Sequence, residues 1–289
     1  MKNSLPALVA ALASMCASQL SLAEVSLAEQ RLSNELKATL TEGIAVALGE
    51  PDQTFLGIFS EARIKKPKGG IILLHDANTH ADWPEVISPL RRQLTLYGWH
   101  TLSIQLPAIP QYDTAMRNPA QWESLEQNIQ RRIQAAIQYC RSKRIFNLVL
   151  LGHQFGALSA GRYVAQQRGD QAISALVTLN LYSSVNPDWI EPETLRKMIA
   201  NIKIAFLDLV PSQSPDYVLQ LAADRKATMN KLGYDKYRQI HIIGADYSFR
   251  GAERSLISRV QTWLARLAPS MEVQIAPATT PPTNAAKPR

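Results

Sequence analysis

Cysteine is scarce: the 289 residues hold two, Cys16 and Cys140. Cys16 falls in a leader-like segment, so only Cys140 would remain after processing. No disulfide could then form within the chain, although an exported protein could have used one. Cys140 continues the stripe Trp122, Leu125, Ile129, Ile133, Ile137. Its spacing of three and four marks a small buried hydrophobe rather than a reactive thiol. Long apolar runs are lacking too. The stretch "LPALVAALASMCAS" near the start is too short to cross a bilayer. With Lys2 before it and Ser21-Leu22-Ala23 behind it, it reads as a secretory signal peptide, residues 1–23, cut after Ala23. A lipoprotein reading of Cys16 runs against Met15 just before it. The periplasm is the expected compartment. Basic tracts are also absent. The formal charge is +7, of which Lys2 leaves with the leader. The remaining basic residues are scattered in pairs such as Arg91-Arg92 and Arg131-Arg132, read as solvated helix faces. This pattern in an exported chain excludes nucleic acid as a partner and leaves room for weak contact with an anionic envelope surface.

What is present is an alternation of strands and helices. Residues 25–41 predict a leading helix, with Leu32, Leu36 and Leu40 on one face. Two short strands follow near 42–48 and 54–61, split by the turn "GEPDQ". "GGIILLHD" is a continuous apolar strand of the kind buried in a parallel sheet. Ser88-Pro89 is expected to cap and open a helix that stops at Gly98. "WHTLSIQLP", helix 119–142, "FNLVLLG" and helix 156–168 come next. They are followed by "AISALVTLNLY", a Trp-bearing insertion 182–200, "IKIAFLDLV", helix 216–232, "YRQIHIIG" and a last helix through Leu267. The order predicts one α/β domain over 24–268, a mostly parallel sheet with helices on both faces. The Pro-, Ala- and Thr-rich tail 269–289 is expected to be disordered.

The most informative stretch is "LVLLGHQFGALSAG", from Leu148. An apolar strand, small residues at Gly152 and Gly156 and a helix behind them outline the nucleophile elbow of α/β-hydrolases. Gln154 stands where the nucleophile belongs, and an amide cannot form an acyl-enzyme. Chain order in that fold is nucleophile, acid, histidine. Asp208 or Asp216 could hold the acid position. The loop after the last strand, "GADYSFRG", has no histidine, and Tyr247 stands in its place. His241 lies back in the strand and reads as structural.

Together, "GGIILLHDANTHADWPEVISPLRRQLTLYGWHTLSIQLP", "GHQFGA", "IAFLDL", "YRQIHIIGADY" and "ISRVQTWL" resemble an uncharacterised α/β-hydrolase-like family of exported bacterial proteins, a domain-of-unknown-function family. The resemblance spans about residues 25–268. It implies the α/β-hydrolase fold and the exported setting, and it brings no assigned reaction.

His75 and His153 fall at the C-terminal ends of strands expected to be central, where open α/β sheets bind ligands. Asp76, Asn78, His80 and Asp82 crowd the loop after His75, where a hydrolase places an oxyanion donor. This cluster reads as a hydrogen-bonded network or as a site for a small polar or acyl ligand, built from His75, Asp76, His153, Gln154 and Tyr247. A metal site on His75, His80 and His153 would be a third use, but the H-x4-H spacing matches no known zinc pattern. The expectation is a protein without cofactor or metal that binds a ligand or an envelope protein, not a serine hydrolase. The alternatives are a histidine- or metal-assisted ester hydrolase and a purely structural envelope protein.

Overall fold

A computed structural model describes residues 27–51, 53–109, 119–167, 172–182 and 190–274. The leader 1–23 and most of the tail, 275–289, lie outside the described residues, as does 183–189 of the insertion. The described residues form a single eight-stranded sheet in the order β1-β2-β4-β3-β5-β6-β7-β8. Its strands are β1 (Ile44–Leu48), β2 (Phe55–Ser60), β3 (Gly69–Leu74), β4 (Trp99–Ile104), β5 (Leu148–His153), β6 (Ile173–Leu179), β7 (Ala205–Pro211) and β8 (Tyr237–Ile242). β1 and β2 are antiparallel, and every pairing from β4 to β8 is parallel.

The helices are α1 (27–39), α2 (Ile87–Gln93), α3 (Pro119–Ser142), α4 (Phe155–Gln166), α5 (Pro192–Ala200), α6 (Asp216–Lys231) and α7 (Glu253–Gln274). β3 and β5 are buried along their whole length, which is why they read as unbroken apolar runs. Two apolar layers result. Ile133 and Ile137 of α3 and Leu158 of α4 pack with Ile72, Leu74 and Leu150 on one face. Leu90 of α2 and Leu256, Val260 and Leu264 of α7 pack with Ile71, Leu73 and Val149 on the other. Each fully buried Leu or Ile contributes roughly 1.5–3 kcal/mol. Leu36 of α1 packs on Leu56 and Ile58, and the Glu29 carboxylate pairs with Arg132 at 2.6 Å, fastening α1 to α3. Cys140 is buried, and burial pushes its thiol up to about 12.

Three local expectations change. The helix after β3 opens at Ile87 with Val86 as its N-cap and no side-chain cap; Ser88 is buried inside it. Its end follows the sequence, since Gly98 takes the left-handed turn (φ 93°) that closes the 3-10 turn Leu94–Tyr97. Arg91 is not on a solvated face: it is 1% exposed, paired with Asp82 at 2.6 Å and bonded to the Glu42 carbonyl. Buried between the Glu42 carbonyl and the Ser60 hydroxyl at the end of β2, a guanidinium requires such partners. Finally, α7 does not stop at Pro269 but runs to Gln274.

Candidate functional site

The site lies at the C-terminal ends of β3 and β5, adjacent and parallel in the sheet centre. β5 ends at His153, and α4 begins at Phe155, leaving one residue, Gln154, to reverse the chain. Gln154 takes φ 48° and ψ −110°, a left-handed conformation that costs a non-glycine residue about 1–3 kcal/mol. Its glycine neighbours are required by contact. A Cβ on Gly152 would run into the Gly156 carbonyl, and one on Gly156 into the Leu74 and His75 carbonyls. Glycine normally loses to alanine in stability, but this turn reverses the order. Gln154→Gly is expected to be more stable than Gln154→Ala by about 1 kcal/mol, read from paired urea denaturation curves.

The Gln154 amide does not project as a free group. Its Nε2 donates to the Tyr247 carbonyl at 3.3 Å, and His153 Nε2 donates to the same oxygen at 3.1 Å. The loop after β8 therefore closes on the elbow through its backbone, while the Tyr247 ring is 55% exposed. His153 packs edge-on against buried Phe249, its Nδ1 is buried without a partner, and burial pulls its pKa down to about 4. It is a neutral, structural imidazole.

His75 is committed at both nitrogens. Nδ1–H donates to the Asp76 carbonyl at 2.6 Å, and Nε2 accepts from the Leu106 N–H at 2.9 Å. Burial lowers its pKa to about 3, so it ties the loop after β3 to the segment after β4 and has no lone pair left for a proton or a metal. His80 Nδ1 accepts from the Asp82 N–H at 3.2 Å and its ring sits edge-on to Trp83. Among the described residues, no three His, Cys, Asp or Glu side chains gather in a way that could hold a metal ion.

Asp76 lies at the site, as expected from its place in the loop after β3, but its bond to the elbow could not be read from the sequence. Its Oδ1 accepts the Phe155 N–H at 3.0 Å, and the Ala77 N–H beside it favours the charged form of the same carboxylate. The amide after the nucleophile position and an amide from the loop after the third strand are the two donors that stabilise an oxyanion in this architecture. Here a resident carboxylate sits against both and is bonded to the first. Burial raises its pKa to about 6, against the lowering by the two amides.

Neither acid candidate joins this group. Asp208 lies in the middle of β7, not at its end, and its register partners are Thr178 and Gln239. It is fully buried and bonded to Arg225 Nε at 2.9 Å, Tyr237 Oη and Gln239 Nε2 at 3.0 Å, and Thr178 Oγ1 at 3.1 Å. Burial alone would raise its carboxyl, but Arg225 and these donors leave it below the usual range. Asp216 is the first residue of α6 and is exposed. Arg225 itself was missed, although Val218, Ala222, Arg225 and Met229 form the buried face of α6 at helical spacing.

Sheet order, elbow and the placement of the two amide donors define an α/β-hydrolase fold. Solved structures agree: a dienelactone hydrolase from Anabaena variabilis ATCC 29413 superposes with TM-score 0.58 at 15% identity, covering 78% of this chain and 97% of that one. Est1E from Butyrivibrio proteoclasticus gives TM-score 0.57 at 13% identity over 78% and 98% of the two chains. The Pyrococcus furiosus esterase Pf2001 gives 0.55 at 15% over 78% and 92%. Such identities establish the fold alone. The chain belongs to the family described as "Protein of unknown function (DUF3530)", whose profile matches residues 14–121 and 113–266. No curated protein matches it.

Proposed function

We propose that this protein is an exported, non-catalytic user of the α/β-hydrolase fold that binds a small ligand or an envelope partner at the old active-site edge. The observation that carries this reading is Gln154 at the tip of an intact elbow, its amide bonded to the Tyr247 carbonyl. An amide there offers hydrogen bonds where a serine would offer a nucleophile. The histidine-assisted hydrolase reading is weakened because His75 is bonded at both nitrogens, and His153, though its Nδ1 has no partner, is buried with its pKa pulled well below the usual imidazole range. The signal-like leader supports the periplasm as the compartment.

Native mass spectrometry of the processed protein recovered from the periplasm, set against its denatured mass, tests this reading. An added small-molecule or partner mass is expected. Hydrolysis of short acyl esters that disappears in Gln154→Ala would overturn it.

A further inference from the structure

A pocket of about 160 Å³ opens beside the elbow, between α1, the loop after β3 and the segment after β4. Leu32, Leu106, Pro107, Ile109 and Phe155 supply apolar walls. Its polar lining is largely spent internally. His75 is engaged at both nitrogens, Thr79 Oγ1 donates to the Asp76 carbonyl at 2.8 Å, and the Gln105 amide bonds the Ala81 N–H and the Leu106 carbonyl. That leaves Asp76 as the formal charge on the wall. Its carboxylate sits against two backbone amides, and no ion pair among the described residues includes it.

Resting on the non-catalytic reading above, we infer that this pocket binds a small organic cation, an ammonium group on a short apolar body, with the Asp76 carboxylate as its counter-charge. Backbone dipoles soften a buried carboxylate without neutralising it, and a cation supplies what is missing. An anionic ligand meets the opposite situation, because the two amides that would receive it already serve Asp76. Size sets the class: a cavity of about 150 Å³ holds a benzene-sized molecule.

The test is calorimetric titration of the full chain with n-butylammonium, n-butanol and butyrate at pH 7.5. Hydrolysis of p-nitrophenyl acetate is followed on the same preparation. Butylammonium is expected to bind at least tenfold tighter than butanol or butyrate, and Asp76→Asn, which keeps the shape and drops the charge, to bring that preference below about threefold. At pH 5 the preference should also shrink in the wild type, because Asp76 takes up a proton. The other titratable groups near Asp76 are His75 and His80 of the same loop, His153 at the end of β5, and Arg132 of α3, paired with Glu29. Charge gained by His80 would act alike in both proteins, so the difference between wild type and Asp76→Asn isolates the carboxylate. Should Asp76→Asn fail to fold, Asp76→Ser, which also drops the charge, takes its place in both arms. A preference for butyrate, a preference that survives Asp76→Asn, or no binding by any probe overturns the inference. Turnover of the ester, by contrast, would overturn the non-catalytic reading on which it rests.

Discussion

Replacing Gln154 by Ser and Tyr247 by His together is expected to yield no measurable esterase, and adding Asp76→Gly to that pair to raise p-nitrophenyl acetate hydrolysis at least about 100-fold. The backbone of the elbow is set by Gly152 and Gly156 and would present a serine at the turn as it presents Gln154. A serine so placed still needs two free amides at the position where negative charge develops. Loss of a single such donor costs about 10²–10³ in rate. In this chain the Asp76 carboxylate is bonded to the Phe155 amide, sits against the Ala77 amide and sets a negative charge beside the incipient oxyanion. Glycine at 76 removes both obstacles. The triple variant would remain a weak esterase, because the carboxylate of Asp208 is bound to Arg225 and cannot orient a histidine. Substantial activity in the double variant would show that the amides are available after all.

Acidification provides the second large effect. Stability is expected to fall by about 4 kcal/mol between pH 7 and pH 4, and by about 6 kcal/mol in Asp76→Asn. His75 and His153 have pKa values lowered by burial to about 3 and about 4, against 6.5 in the unfolded chain. Below pH 6.5 the unfolded state therefore binds protons that the folded state refuses, and stability is lost as pH falls. At about 1.4 kcal/mol per unit, the two together remove about 6 kcal/mol by pH 4. Asp76 acts in the opposite direction. Its folded pKa, raised to about 6 from 3.8, makes the folded state the stronger proton binder between those values, returning about 2 kcal/mol by pH 4. Asparagine cannot titrate, so the variant loses that return. Guanidinium unfolding at a series of pH values reads both slopes, and parallel curves for the two proteins would refute the placement of Asp76.

Much of the fold was legible because the signals were periodic. The apolar runs of β3 and β5 follow from burial on both faces, and the stripe on α3 from one buried face of a 24-residue helix. The elbow was legible for a different reason: its glycines mark contacts too close for any side chain. What escaped were polar groups whose partners are distant in sequence. Asp76 was noticed as one of several polar residues in a loop, but its bond to Phe155 crosses 79 positions. Asp208 looked like a strand-end acid because the strand's final residues, Leu209 to Pro211, are apolar enough to pass for loop approach or strand alike. Arg225 could have been caught, since its place on the buried face of α6 demands a partner. Arg91 shows the same pattern on a shorter helix.

The burial of Cys140 has a practical side. If the leader and Cys16 are removed, the remaining thiol is shielded inside the domain and, pushed up to about 12, is almost never ionised at neutral pH. A cysteine installed at position 154 would then be the one side chain a maleimide dye could reach. Position 154 is half-buried at the turn between β5 and α4, so a fluorophore there would report on occupancy of the neighbouring pocket.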